Sequence, residues 1–377
     1  MYLTHNEIKK VHIEHTSKCN LLCPQCARVV DGKVNPNLVL DELTLKDYKR
    51  IFTSNFANQI DRVYWCGNYG DSIASGSWIE CAYWLRYSGV KSMQLYTNGS
   101  ARTPDWWRGL AKIFNRDYDY VYFSIDGLED TNHLYRVNSN FKTIIKNAKA
   151  FINAGGNARW DYLIFDHNEH QIEEAYALAK EIGFKQIVFK NTSRFVGNNE
   201  FLNSISRDDE EVYDKKTQKQ THTISHKDNE NKTKFNYIIE KFGNWENYIN
   251  ATPISCKYQK DKTIYIDFMA KMWPCCWVGA PEHFYGKDNI QIDQLTKLLK
   301  QYNNDFNSLR KHTVDEILNH QWFNKDLTTS WGNTMQDTNA KLHTCGRTCG
   351  TNYEFTSSLN TSNAQRFKLN PYRPGLK

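Results

Sequence analysis

From residue 10 to 190 short β-rich runs alternate with stretches of helical period. KVHIEH (10–15), DRVYWC (61–66), SMQLYT (92–97), YDYVYFS (118–124), ARWDYLIF (158–165) and QIVFK (186–190) read as strands. The first helix opens at Thr44, with Asp47 three residues on as a capping box, and sets Leu45, Tyr48, Ile51 and Phe52 on one face. A second covers Ile79 to Tyr87 and ends at Gly89, and a third begins with Pro104 in its first turn. Phe141 to Ile152 forms a fourth, stopped by Gly155, and Ile172 to Ile182 a fifth, stopped by Gly183. A βα repeat of roughly 30 residues predicts a parallel α/β sheet with right-handed crossovers, and both a doubly wound sheet and part of a barrel fit.

Past residue 195 the texture changes. Asn199 to Lys234 is polar, with an acidic cluster at Asp208 to Glu211, scattered lysines and little periodicity, which predicts a surface insertion or linker over 196–252. Residues 253–350 hold five of the ten cysteines among short β-like runs such as TIYIDF (263–268), the pattern of a small metal-dependent module. The segment 351–377 reads as a loosely packed tail.

Composition narrows the class. The 377 residues include 11 Trp, 22 Tyr and 19 Phe, too much apolar bulk for a disordered chain. No run reaches the roughly 18 apolar residues that span a bilayer, and MYLTHNEIKK lacks the apolar core of a secretory signal, so the expected location is the cytoplasm, without membrane contact. The net charge of +6 is spread thinly, which argues against a nucleic-acid partner. In a reducing compartment clustered cysteines bind metal or do redox chemistry more often than they form disulfides.

CNLLCPQC places Cys19, Cys23 and Cys26 at spacing C-x3-C-x2-C just past the first strand. Three thiolates in one loop can hold three corners of an iron-sulfur cube and leave the fourth iron free to chelate a small molecule. A structural zinc site with His12 or His15 as fourth ligand is the alternative, though zinc ligands usually come as two pairs. The loop also lies at the carboxyl end of a parallel strand, where α/β folds place their active sites.

On these cysteines and the motifs that follow them in order, residues 8–195 resemble the radical S-adenosylmethionine enzymes. The resemblance implies a partial (β/α)6 parallel barrel with a small C-terminal β-hairpin/helix iron-sulfur module, and a 4Fe-4S cluster on Cys19, Cys23 and Cys26. CGNYGDSI (66–73) resembles the family's glycine-rich acidic motif, which assigns Gly67, Asn68, Gly70 and Asp71 to the amino group of S-adenosylmethionine. YTNG (96–99) ends the third strand as in many members, and SIDG (124–127) places Ser124 and Asp126 near the ribose. Arg136 resembles the arginine that pairs with the cofactor carboxylate in members with accessory clusters. Two residues depart from the family: Gln25 stands where an aromatic usually meets the adenine, and Asp71 replaces the commoner Glu. Cys66 and Cys81 are expected as core thiols.

Cys256, Cys275, Cys276, Cys345 and Cys349 resemble the accessory region called Twitch, the shorter relative of the SPASM domain. That implies a second 4Fe-4S cluster on Cys256, Cys275, Cys345 and Cys349; the spare thiol, Cys276, reads as an inert buried neighbour, with a substitute ligand or a proton donor as the alternatives. The departures are Ala270, where such hairpins usually have Gly, and a three-residue gap between Cys345 and Cys349. A zinc ribbon is the alternative for this set.

The activity implied is reductive cleavage of S-adenosylmethionine to a 5'-deoxyadenosyl radical, with hydrogen abstraction from substrate and net oxidation or cross-linking of a peptide or protein side chain. Dehydrogenation of a small sugar-like or amino-acid-like metabolite is the second enzyme reading, since only 18 residues precede Cys19 and no peptide-recognition domain is expected there. A non-catalytic iron-sulfur or zinc scaffold is the reading from another class. The expected partners are the peptide or small-molecule substrate and an electron donor such as flavodoxin or ferredoxin.

Overall fold

In the computed structural model, residues 1–191, 209–214, 217, 219–225, 237–283, 289–352 and 365–369 are described. The six expected strands form in order: β1 (Lys10–Ile13), β2 (Arg62–Trp65), β3 (Ser92–Thr97), β4 (Tyr120–Ser124), β5 (Ala158–Ile164) and β6 (Gln186–Asn191). Each pairs in parallel with the next. The intervening helices are α1 (Leu45–Ile51), α2 (Trp78–Tyr87), α3 (Pro104–Ile113), α4 (Phe141–Asn153) and α5 (Ile172–Ile182). A short helix, Ser54–Gln59, adds to α1 before β2. Thr44 and Asp47 make the expected capping box, and Gly183 ends α5 in the left-handed conformation at φ 95°.

The TIYIDF run adds a seventh parallel strand, β7 (Thr263–Ile266), to the free side of β1, in register Val11↔Ile264 and His12↔Tyr265. An antiparallel β8 (Met272–Trp273) completes the hairpin. The far edge is closed by β9 (Gln365–Lys368), antiparallel to β6, within a tail expected to be loose. The sheet order is β8-β7-β1-β2-β3-β4-β5-β6-β9, a mostly parallel, partly barrel-like α/β sheet. In the β7–β8 turn Ala270 is buried at φ 60°, a backbone conformation that favours the glycine the resemblance leads one to expect there.

The two faces of the sheet differ in chemistry. Val11, Ile13, Val63, Trp65, Met93, Leu95, Val121, Phe123 and Trp160 are buried on the helix side and form the main core. The other face carries His12, Tyr64, Tyr96, Tyr122, Arg159, Asp161 and Lys190. Period-two alternation separates the two sets.

The expected linker Asn199 to Lys234 lies largely outside the described residues. Asp209–Tyr213 and Gln220–Ser225 pair as an antiparallel ribbon. Val212 and Ile224 pack with Leu21, Cys23, Tyr135 and Phe165, so the ribbon lies against the first cysteine loop. Two apolar residues in two polar strands are too weak a periodic signal to read from sequence. Among the described residues no helix is long and apolar enough to cross a membrane.

Candidate active site

Cys19, Cys23 and Cys26 lie in the loop after β1, and all ten cysteines are free. The Leu21 N–H donates to Cys19 Sγ at 3.4 Å, the Asn98 amide approaches the same sulfur at 3.7 Å, and the Cys26 thiol donates to the Asn68 carbonyl at 3.6 Å. Burial pushes the Cys23 thiol up to about 11, opposed by the Arg136 guanidinium, whose Nη1 lies 3.9 Å from the sulfur. Soft thiol donors from one loop, supplied with N–H groups, suit an iron-sulfur cluster.

The zinc alternative loses its histidines. His15 Nδ1 meets the Tyr48 hydroxyl at 3.1 Å and its Nε2 meets Ser75 Oγ at 3.0 Å. His12 Nε2 is held at 2.5 Å from the Cys66 carbonyl, with its ring stacked on Tyr64. Among the described residues no group of three His, Cys, Asp or Glu side chains is arranged to hold a single metal ion.

The glycine-rich turn after β2 packs on this loop without room to spare. A Cβ on Gly70 would fall 1.7 Å from the Thr16 carbonyl oxygen, and one on Gly67 2.0 Å from the Gly70 carbonyl oxygen. Both glycines are therefore needed for close approach, whatever ligand the turn meets. Asp71 is buried: its Oδ2 accepts from Thr97 Oγ1 at 3.0 Å and from the Asn98 N–H at 2.8 Å, and its Oδ1 accepts from the Ile73 N–H at 3.2 Å. Burial raises its pKa against those three donors. Asp71 thus joins the ends of β2 and β3.

Asp126 and Arg136 come together. Asp126 is fully buried, its Oδ2 pairs with Arg136 Nε at 2.5 Å, and its Oδ1 accepts from the Leu163 N–H at 2.7 Å. Ser124 stands at the end of β4 in register with Asp161 of β5. Asn68 donates to Glu14 Oε2 at 3.2 Å and to the Tyr265 hydroxyl at 3.3 Å.

Glu14 escaped the sequence reading. Its Oε1 accepts the N–H groups of Tyr69 at 2.6 Å and Gly70 at 3.2 Å, so one buried carboxylate holds the glycine-rich turn. The signal was a lone acid at the end of an otherwise β-prone run. Asn98, the third residue of YTNG, is a second such residue: it bridges the Asp71 turn and the Cys19 loop.

The inner face of the sheet continues the site. The Tyr96 and Tyr122 rings stack at 4.3 Å, and the Arg159 guanidinium lies 4.0 Å over Tyr122. Asp161 accepts from Arg159 at 2.6 and 2.8 Å and from Lys190 at 2.6 Å. Cys66, expected in the core, is instead half-buried, and its surroundings include Glu14, Lys190, Asp161 and Cys276. It follows β2 on the polar side, where its position continues the Arg62, Tyr64 alternation. Cys81 is fully buried in the core as expected. An open groove of about 640 Å³ runs beside the cysteine loop, lined by Lys18, Cys19, Ile73, Ala101, Arg102 and Trp106.

In the C-terminal region Cys256, Cys275, Cys345 and Cys349 line one enclosed pocket, and Cys276 is not part of its lining. Cys276 meets the Tyr258 hydroxyl at 3.5 Å. Cys256 and Cys349 form a hydrogen-bonded pair in which the Cys256 thiol donates, so its pKa rises and that of Cys349 falls. The Gln259 and Lys257 N–H groups donate to Cys256 and Cys349 Sγ, each at 3.5 Å. The buried indole N–H of Trp331, in the same lining, faces the Cys345 thiol and has no oxygen or nitrogen acceptor. Four thiols with N–H donors around one pocket fit an iron-sulfur cluster.

Residues 13–189 match the model of the radical SAM superfamily. No curated protein matches the chain. Among solved structures, anSMEcpe with bound AdoMet and Kp18Cys peptide is 13% identical, with 93% of this chain and 94% of that one covered, at a TM-score of 0.50. Histidine-tagged anSMEcpe with bound AdoMet is 14% identical over 93% of each chain, also at 0.50. Streptococcus suis SuiB bound to S-adenosylmethionine is 15% identical over 72% of this chain, at 0.45, and this chain spans 60% of its length. At these identities the likeness to anSMEcpe is one of fold. The cysteine loop and the glycine-rich turn both lie within the stretch, residues 13–189, that matches the radical SAM superfamily.

Proposed function

We propose that this chain is an enzyme that cleaves S-adenosylmethionine reductively, abstracts a hydrogen atom from a peptide or protein side chain, and passes the remaining electron to a second four-iron cluster, giving net oxidation or cross-linking. The observation that carries the second half of this reading is the single pocket lined by Cys256, Cys275, Cys345 and Cys349. Four thiolates close a cluster to substrate and leave it electron transfer as its chemistry.

Cys19, Cys23 and Cys26 would hold the first cluster, which when bound supplies one electron to the sulfonium of S-adenosylmethionine. The C–S bond then breaks to give methionine and a 5'-deoxyadenosyl radical. That radical takes a hydrogen atom from substrate and becomes 5'-deoxyadenosine. Cys256, Cys275, Cys345 and Cys349 would hold the second cluster, which would supply an acceptor for one electron of the substrate radical; with one proton lost to the surroundings, the product would be oxidised by two electrons overall. An electron donor such as flavodoxin or ferredoxin supplies the initial electron.

The protein's own contribution is placement. Glu14 fixes the glycine-rich turn, Asp71 ties that turn to β3, and the Asp126–Arg136 pair sets a buried cation beside Cys23. The open groove beside the loop suits a chain more than a small metabolite, which an enclosing pocket would serve better. The fold is one on which a bound peptide is seen, in anSMEcpe.

The test is the ratio of oxidised product to 5'-deoxyadenosine in wild type and Cys349→Ala. The variant should still form 5'-deoxyadenosine while the ratio falls several-fold. An unchanged ratio, with about four irons lost, makes the second cluster structural and removes the case for oxidation.

A further inference from the structure

The turn that ends β3 aims a side-chain amide at one sulfur of the first cysteine loop. In TNGS (97–100) Asn98 is 5% exposed, and Gly99 takes φ 69°, a left-handed conformation that brings Ser100 back onto the Asn98 side chain. Asn98 Oδ1 accepts from the Ser100 N–H at 2.8 Å and from Ser100 Oγ at 2.6 Å, an Asx turn with a second donor. Ser100 Oγ in turn accepts from Asn20 Nδ2 at 2.8 Å, and Asn20 Oδ1 accepts from Asn98 Nδ2 at 3.0 Å. Three side chains thus close a ring of hydrogen bonds between the β3 turn and the cysteine loop.

The ring decides which way the Asn98 amide points. Its oxygen has two donors, so the NH2 end is the one left to face the loop. One of its N–H bonds goes to Asn20, and the other is directed at Cys19 Sγ, 3.7 Å away. Turning the amide over would oppose oxygen to oxygen at Asn20, oxygen to sulfur at Cys19, and NH2 to the Ser100 N–H. The Leu21 N–H reaches the same sulfur at 3.4 Å, so Cys19 has two donors. Cys26, by contrast, gives its own hydrogen to the Asn68 carbonyl, a bond that a thiolate cannot make. The link from Asn98 to Asp71 runs through the backbone N–H and does not depend on this side chain.

We propose that Asn98, oriented by Ser100 and Asn20, is a positioning residue that donates a hydrogen bond to the Cys19 thiolate and raises the reduction potential of the first cluster. Hydrogen bonds to the sulfurs are among the quantities that set such a potential. A donor to a thiolate gains strength as negative charge on the acceptor grows, so it favours the reduced form. The inference rests on the assignment of Cys19, Cys23 and Cys26 to that cluster.

The test is a spectroscopic redox titration of anaerobically reconstituted protein. The step that disappears when Cys19, Cys23 and Cys26 are replaced by Ala belongs to the first cluster, and any other step is an internal control. Asn98→Leu, close in size but without a donor, should shift the reduction equilibrium of the first cluster about tenfold toward the oxidised form, or about 59 mV for one electron. Its iron content and the other midpoint should match wild type. Asn98→Asp, which puts an acceptor in the donor's place, should shift the midpoint further down. A first-cluster midpoint unchanged in Asn98→Leu, or at or above wild type in Asn98→Asp, overturns the proposal. Should Asn98→Leu fail to take up iron, Asn98→Ala carries the same comparison. Loss of the first cluster from both overturns the proposal as well, since the side chain would then be needed to assemble the loop rather than to set its potential. If wild type holds no iron that the triple variant lacks, it is the first-cluster assignment that fails, an outcome the iron count separates from an unchanged potential.

Discussion

The Tyr265 hydroxyl donates to Glu14 Oε2 at 2.5 Å, across 251 positions of sequence. Glu14 also holds the glycine-rich turn, so the C-terminal hairpin and that turn share one buried carboxylate. Burial raises its pKa, while Tyr265 and three N–H donors lower it. Tyr265→Phe removes one charge-assisted hydrogen bond, a loss of roughly 1.5–3 kcal/mol. We expect S-adenosylmethionine affinity to fall about tenfold or more while iron at Cys19, Cys23 and Cys26 is retained. Calorimetric titration beside an iron assay measures both, and normal affinity would show that the turn does not need this support.

Iron content tests the metal assignment. Protein reconstituted without oxygen should hold about eight irons and eight sulfides, and triple replacement of Cys19, Cys23 and Cys26 by Ala should leave about four. Tightly bound zinc in place of iron would refute both assignments.

Asp71→Asn and Arg136→Gln should weaken S-adenosylmethionine binding without loss of iron, since neither residue is proposed as a metal ligand. Asp71 acts here through Thr97 and Asn98, so its variant should also lower Tm by several degrees. Arg136→Gln leaves Asp126 buried beside an uncharged partner and should be the less stable of the two. If both variants bind the cofactor normally, the residue assignment fails.

Buried histidines set an acid limit. Burial holds His15 down to about 3 and His12 to about 4. The unfolded chain protonates them near 6.5. A depressed folded pKa gives stability that is complete above that unfolded value and is lost as pH falls toward the folded one. The Tm of iron-free protein should therefore be level above about pH 6.5 and fall steadily below it. His15→Gln, which keeps a polar group near Tyr48 and Ser75, should flatten the slope between about pH 6.5 and 5 relative to wild type. An equal slope in both proteins would assign the acid sensitivity elsewhere.

The sequence was most legible where local signals agree. β1 to β6 and α1 to α5 stand where apolar period, Thr44, Pro104 and Gly183 place them. The three-cysteine loop was legible because its spacing is local. Glu14, Asn98 and the pairing of β7 with β1 were not, because each acts through a partner far away in sequence and leaves no period behind. Cys66 differs from the expectation for a related reason: of the two residues before it, Tyr64 and Trp65 on opposite faces, both are aromatic, and only Arg62 marks the polar side. The ribbon over the cysteine loop was hidden by its polarity, since only Val212 and Ile224 anchor it.

The junction of β7 with β1 bears on how the chain is made. During synthesis β1 to β6 emerge well before Thr263, and throughout that interval the outer edge of β1 has hydrogen-bonding groups without a strand to take them. An unpaired parallel edge invites pairing with another chain. A fragment ending at residue 195 would keep Cys19, Cys23 and Cys26 and every strand up to β6, yet should self-associate through β1. One extended through the β7–β8 hairpin closes that edge. The last third of the polypeptide thus acts as a folding clasp for the first strand, and nascent chains should depend most on chaperones in the stretch of translation between β6 and β7.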